Sequence, residues 1–342
     1  MMEKNQKIIR ELFDKVSNFH TDDYVLQAYS SCLKNDRIAR DVARILSVIS
    51  VTNTIFTKLK LKSVVVGVDG ESNTDIVCGV AKKFGVPTFA IPPSNAEYDP
   101  RYKVLYSAEK LLISGTRLKQ ELATIGLDET RFIVVGNPRF DYIRQNLGKK
   151  TLTSLLEQEK SNNLIIVAMS RIHDNDEEWM SKLIQFCNAN NINILIKFHP
   201  MYKILLDKKK ICEQKIRKIE ENCMNLNYKI SYESNLSELL PNTSILITEN
   251  SWVGVEASLH GKSIIVANMT NEKYYDYSLQ FHKEGIALYA TNVSQLLDCI
   301  MKILNDNNTN ELLEEGRRKF NYEFNYLNDG KSTERIFNIL TQ

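Results

Sequence analysis

No two of the six cysteines (Cys32, Cys78, Cys187, Cys212, Cys223 and Cys299) form a CxxC pair. Thiolate metal spacing and a disulfide framework are therefore both unsupported, and a reducing cytosol fits best. No apolar run approaches the ~20 residues that a membrane-spanning helix needs. The opening "MMEKNQKIIRELF" carries charges where a signal peptide needs an apolar core. The expectation is a soluble, cytoplasmic protein, with peripheral contact at the inner face of the membrane left open. A charge excess is lacking as well. The formal net charge is +2, which exerts no bulk pull on nucleic acid, so any anion must be held by a local site. GxxxxGK[ST] and GxGxxG are absent, which removes P-loop and NAD-type readings. Without HExxH or GxSxG, zinc-protease and α/β-hydrolase readings also fall.

What remains is a chain of 342 residues, 43% hydrophobic and 25% charged. That is comfortable for two globular domains. Residues 1–60 read as helices, with Ile8, Ile9, Leu12, Phe13 and Val16 at helical spacing. Short apolar runs then alternate with helical segments: "SVVVGV" (63–68), "PTFAI" (87–91), "KLLISG" (110–115) and "RFIVVGNP" (131–138). After a polar stretch from Gln145 to Asn163 a second series follows. It contains "NLIIVAMS" (163–170), "NINILIKF" (191–198), "YKISYE" (228–233), "TSILITEN" (243–250), "KSIIVAN" (262–268) and "GIALYA" (285–290). Helices are expected near 176–190, 203–225, 252–260 and 293–305. Buried strands alternating with helices imply α/β architecture with parallel sheets covered on both faces. The expected domains are 1–150, with a helical start and a short sheet, and 151–325, with a full doubly wound set. A closing helix spans 326–342, with Ser332 suited to its N-cap.

In an open parallel sheet, ligands bind beyond the carboxyl ends of the strands. Ser170, Arg171 and His173 follow the first strand of the second half, and Lys197, His199 and Pro200 follow its second. Lys197 and His199, two apart, share a face, and two donor groups suit a diphosphate. Glu249, Asn250, Ser251 and Trp252 follow the fourth strand. Asn250 or Ser251 would cap the next helix, whose N-terminus attracts phosphate. Glu256, one turn on, is placed to accept from two ribose hydroxyls, or simply to favour the helix dipole. In the first half, Asp69 and Glu71 of "VDGESN" follow a strand, and Asp69 is a candidate general base toward an acceptor hydroxyl. Arg139 of "GNPRFD" either contacts phosphate or pairs with Asp141. The lysine-rich stretch from Lys203 to Asn222 is a solvated face, or a contact for anionic lipid headgroups.

Several of these stretches occur in one order: "VVVGVDGESNTDIVCGVAKKFGVPTFAI", "KLLISGTRLKQELATIGLDETRFIVVGNPRFDYI", "LIIVAMSR", "ILIKFHP", "LSELLPNTSILITENSWVGVEASLHGKSIIV" and "DGKSTERI". Together they resemble the GT-B glycosyltransferases of surface and capsular polysaccharide synthesis. That group includes capsule glycosyltransferases and CDP-glycerol glycerophosphotransferases and, further off, UDP-N-acetylglucosamine 2-epimerases. The resemblance covers roughly residues 63–340. It implies two Rossmann-like domains facing each other across a cleft, the first one reduced here. It also implies a nucleotide-sugar or polyol-phosphate donor as substrate, a glycan or lipid-linked glycan acceptor, and no cofactor or metal. His199 and Ser251 would lie near phosphate and Glu256 on the ribose; the residues at the sheet edge themselves add Ser170, Arg171, Lys197 and Asn250 as candidates around the donor. Asp69 and His199 would be the catalytic pair. Two departures stand out. "PPSNAEYD" replaces a His-Gly step found in relatives, and "ENSWVGVE" replaces the Gly-rich phosphate loop usual in epimerases, which favours transferase over epimerase. A non-catalytic nucleotide-binding scaffold, or a chain needing a protein partner, is the remaining alternative.

Overall fold

The computed structural model describes residues 11, 36–67, 72–91, 107–124, 126–146, 163–232, 236–249, 251–270 and 280–341. The chain divides into two compact units. One is Met1–Asn137 together with Ser332–Gln342, and the other is Pro138–Lys331. The division falls at Asn137, ahead of the polar stretch expected to carry it, most of which (147–162) lies outside the described residues.

The first unit contains α1 (Asp36–Lys58), β1 (Val64–Val66), α2 (Ser72–Lys83), β2 (Thr88–Ala90), β3 (Lys110–Ile113), α3 (Thr116–Thr124) and β4 (Phe132–Val134). The four strands form a parallel sheet in chain order. The pleat sends alternate side chains of β3 to opposite faces. Leu111 and Ile113 join Leu118 and Leu122 of α3 in one core, while Leu112 packs with Phe89, Val135 and Ile336 in another. Ile336 belongs to the closing helix Ser332–Thr341, which covers that second face. The helix is tied to the sheet by Arg335 Nε, which donates to the Val135 carbonyl at 2.8 Å. Gly136 permits the approach: its φ is +86°, and a Cβ there would lie 2.3 Å from Ser332 Oγ. Ser332 is the first residue of that helix in place of the residue before it.

The second unit runs α4 (Asp141–Asn146), β5 (Leu164–Met169), α5 (Asp176–Ala189), β6 (Asn193–Phe198), α6 (Met201–Ile204), α7 (Leu206–Asn222), β7 (Lys229–Ser231) and α8 (Leu236–Leu239). It continues with β8 (Ile245–Thr248), α9 (Trp252–Leu259), β9 (Ser263–Ala267), β10 (Ala287–Ala290), α10 (Val293–Asn305) and α11 (Asn307–Asn325). The closing helix is α12. Six parallel strands take the order β10-β9-β8-β5-β6-β7. Every residue of β5 is buried, as expected of a central strand covered on both faces. Ile165, Val167 and Met169 pack against Trp179 and Leu183 of α5, whereas Ile166 and Ala168 face Val255, Phe320 and Phe324 on α9 and α11. Each fully buried side chain of this size contributes about 1.5–3 kcal/mol.

Two expectations about helices need correction. The single long helix near 203–225 is broken into α6 and α7 because Leu205 is extended, at φ −87° and ψ 112°. The nineteen residues of α11 were not anticipated as a separate helix. The chain leaves β5 outward to β7 and returns to β8 on the other side. This reversal opens a crevice between the carboxyl ends of β5 and β8, where ligands of such sheets bind. Among the described residues no helix is long and apolar enough to cross a membrane.

Candidate functional site

A cleft of about 310 Å³ opens at that edge of the second unit. It is lined by Ala168, Met169 and Ser170 after β5, Lys197 to Pro200 at the end of β6, Leu236 and Ser237 of α8, Ser251 to Val253 and Glu256 of α9, and Arg139. Five of the sequence-predicted site residues meet here: Ser170, Lys197, His199, Ser251 and Glu256.

Lys197 and His199 stand on one face of β6, two residues apart. The His199 backbone N–H donates to the Met169 carbonyl at 3.1 Å, holding the end of β6 beside β5. Pro200 then starts α6, and the Met201 N–H donates to His199 Nδ1 at 3.2 Å. With Nδ1 acting as acceptor, the ring proton is on Nε2, which is thereby a donor. Lys197 is half-buried, and burial holds its ammonium below the ordinary lysine range. Among the described residues it makes no hydrogen bond or ion pair. A half-desolvated cation without a counter-charge favours an anion in the cleft.

Ser251 occupies the N-cap of α9 in extended conformation, yet its side chain makes no capping bond. The first N–H groups of α9 and its positive end therefore border the cleft without a side-chain acceptor from Ser251. Glu256 is buried, and its two oxygens accept from Arg139 Nη2 at 2.8 Å and Ser237 Oγ at 3.3 Å. Of the two roles open to Arg139, pairing is realised, with Glu256. Each carboxylate oxygen keeps a further lone pair.

Behind the cleft lies a brace that sequence reasoning did not assemble. Buried Glu249, at the end of β8, accepts from Ser170 Oγ at 2.5 Å and pairs with His173 Nε2 at 2.8 Å. Asp176 accepts the His173 backbone N–H at 2.6 Å and Trp179 Nε1 at 2.9 Å. Burial raises the Asp176 carboxyl, and those two hydrogen bonds oppose the rise. These contacts pin the β5–α5 loop that presents Ser170. The only hint in the sequence was that Ser170, His173 and Glu249 all follow strands at the same edge.

Arg171 is exposed and does not line the cleft. Asn250 and Asp69 lie outside the described residues. The Cys187 thiol is pushed up to about 12 by burial, which fits an inert packing role.

Comparison with known proteins bears on the family and the fold. A family model described as CDP-Glycerol:Poly(glycerophosphate) glycerophosphotransferase matches residues 6–342. No curated protein matches. Among solved structures, the UDP-GlcNAc 2-epimerase from Methanocaldococcus jannaschii aligns with TM-score 0.61 and 17% identity over 87% of this chain and 82% of its own. The UDP-GlcNAc 2-epimerase from Neisseria meningitidis, bound to UDP-GlcNAc, aligns with TM-score 0.60 and 15% identity over 88% and 81%. A glycosyltransferase from Rickettsia africae ESF-5 aligns with TM-score 0.51 and 15% identity over 90% and 83%. The chain shares the GT-B type fold of these epimerases and glycosyltransferases.

Proposed function

The chain belongs to the CDP-glycerol:poly(glycerophosphate) glycerophosphotransferase family, and from that premise we propose that it moves a polyol phosphate or a sugar from a nucleotide-activated donor to a hydroxyl of a surface glycan. In this reading the donor's phosphates lie in the 310 Å³ cleft. The observation that carries the proposal is the half-buried Lys197 ammonium, without a hydrogen bond or ion pair among the described residues, beside the donor Nε2–H of His199 and the start of α9, where the Ser251 side chain makes no capping bond.

For a polyol phosphate, the acceptor oxygen forms a bond to the transferred phosphorus. The bond from that phosphorus to the nucleotide's phosphate oxygen breaks, and a nucleoside monophosphate leaves. For a sugar, the bond forms at the anomeric carbon and a nucleoside diphosphate leaves. The hydroxyl proton goes to a general base, for which Asp69 is our candidate. Charge building on the leaving phosphate meets Lys197, His199 Nε2–H and the helix dipole, all held in place before the reaction. Glu256 keeps lone pairs for the ribose hydroxyls while Arg139 and Ser237 hold its carboxylate. Ser170 lines the cleft and completes the proposed donor contacts there, with Asn250 a further candidate. The acceptor is a glycan or lipid-linked glycan, met at the cytoplasmic side of the membrane during surface-polymer and capsule synthesis.

The test is turnover of CDP-glycerol by the purified chain, followed as CMP release with and without a lipid-linked glycerophosphate acceptor. Acceptor-dependent release is expected, falling about 10²–10³-fold in His199→Ala. Conversion of UDP-N-acetylglucosamine to its 2-epimer without any acceptor would overturn the transferase reading.

A further inference from the structure

One side of the cleft is built with the opposite polarity to the phosphate site. Ser170 has a single proton to donate, and it goes inward: Oγ donates to Glu249 Oε2 at 2.5 Å. Glu249 is 6% exposed. Its other oxygen is held by His173 Nε2 at 2.8 Å. A carboxylate only accepts, so in both contacts the proton sits on the partner. His173 is fixed in turn by its backbone N–H, which donates to Asp176 at 2.6 Å. The serine proton is thereby committed to a buried, braced acceptor. Among the described residues Ser170 makes no other hydrogen bond. It is partly exposed and lines the cleft, so what its oxygen keeps for a ligand is lone pairs. Its place in the site follows from the sheet. β5 and β6 pair in register as far as Met169 and Phe198, so Ser170 and His199 are the next residues of adjacent strands.

We propose that Ser170, its proton held away by Glu249, accepts a hydrogen bond from a hydroxyl of the group being transferred, polyol or sugar, and so selects donors that carry one. This rests on the transferase reading above and concerns the part of the donor beyond its phosphates. Charge disfavours phosphate at Ser170: a phosphate oxygen there would meet lone pairs, with the Glu249 carboxylate one hydrogen bond behind them. A ligand O–H meets the reverse. Donation to a carboxylate polarises the serine oxygen and strengthens the next bond it accepts. The cleft thus divides by polarity. Lys197, His199 Nε2–H and the start of α9 are donors, suited to the phosphates. Glu256 on α9 is the acceptor for the ribose. Ser170, beside His199, is the acceptor for the group attached to the phosphate that His199 holds. A donor lacking that hydroxyl leaves the serine lone pairs dehydrated and unpaired, which is how a polar site rejects a smaller, apolar analogue.

The experiment is titration calorimetry of the full chain with CDP, CDP-glycerol and CDP-propanol, the last carrying hydrogen in place of both free glycerol hydroxyls. The parent chain should bind CDP-glycerol more tightly than CDP-propanol. Ser170→Ala should lower that preference about 2–10-fold, the worth of one neutral hydrogen bond, by weakening CDP-glycerol alone. A purely structural role for Ser170 in the β5–α5 loop would weaken all three ligands together. Equal binding of CDP-glycerol and CDP-propanol by the parent chain overturns the proposal without any variant. So does a Ser170→Ala chain that keeps the parent's preference, or one that loses all three ligands to the same degree. In each of these cases binding of CDP by the parent chain leaves the transferase reading standing. A parent chain that binds none of the three overturns that reading, and the role of Ser170 falls with it.

Discussion

Replacing Lys197 by methionine separates affinity from stability. Methionine keeps the length and apolar stem of lysine and removes only the charge. Burial holds the Lys197 ammonium below its ordinary range with no described partner to repay the desolvation. The sign follows from that direction. In the unfolded chain the group is fully solvated and protonated at neutral pH, so folding disfavours the charged form and the native state carries the penalty. Removing the charge should therefore stabilise the unliganded fold. The side chain is only half-buried and partly screened by water, so the gain is about 1 kcal/mol or less, or roughly 2–4 °C in melting temperature for a unit of this size. Binding moves the other way. A hydrogen bond to a charged group is worth about 1.5–3 kcal/mol, so the dissociation constant for a nucleoside diphosphate should rise about 10–150-fold. Differential scanning fluorimetry reads the first effect and titration calorimetry the second. A variant that melts several degrees lower, or binds nucleotide as well as the parent chain does, refutes the reasoning.

Arg139→Ala strips buried Glu256 of its nearest counter-charge. A fully buried pair loses about 3–5 kcal/mol on such a change, but Arg139 is more than half exposed, so about 1 kcal/mol is expected and Glu256→Gln in the Arg139→Ala background should restore most of it, as melting curves will report. Gly254→Ala places a Cβ 2.3 Å from the ring of fully buried Phe281. Overpacking of roughly 1–3 kcal/mol should appear as a lower denaturation midpoint, relieved by adding Phe281→Leu. Burial holds His260 down at about 4, helped by Lys262. The unfolded chain binds a proton near pH 6.5 that the folded chain refuses until about pH 4, so stability should fall through that window with a slope of at most about 1.4 kcal/mol per pH unit. Melting curves across that range should show a shallower fall in His260→Gln.

The strands were legible because parallel strands covered on both faces have to be apolar throughout, and "LIIVAM" and "NILIKF" admit few other readings. The edge that holds the site followed from their order. Partners distant in the chain were not legible. Nothing near Arg139 in sequence points to Glu256, and Asp141, two residues away, was the visible alternative. Ser170 and Glu249 meet only because β5 and β8 are neighbours. The break at Leu205 was hidden because helical spacing runs on across it, and Pro200 marks only where α6 starts. In α11 the asparagine-rich opening and Gly316 mask a helix whose buried face is Leu313, Arg317, Phe320 and Phe324. Gly316 is there because the Gly285 backbone carbonyl approaches within 2.2 Å of where a Cβ would stand.

The central claim is that the crevice beyond β5 and β6 receives nucleotide phosphate through His199 and Lys197. Titration calorimetry of the purified chain with CMP, CDP, UDP and GDP tests it most directly, with His199→Ala run in parallel. The account predicts saturable binding of at least one of these nucleotides and its loss, by about tenfold or more, in the variant. A chain that binds none of the four, or a His199→Ala variant that binds as tightly as its parent, contradicts it.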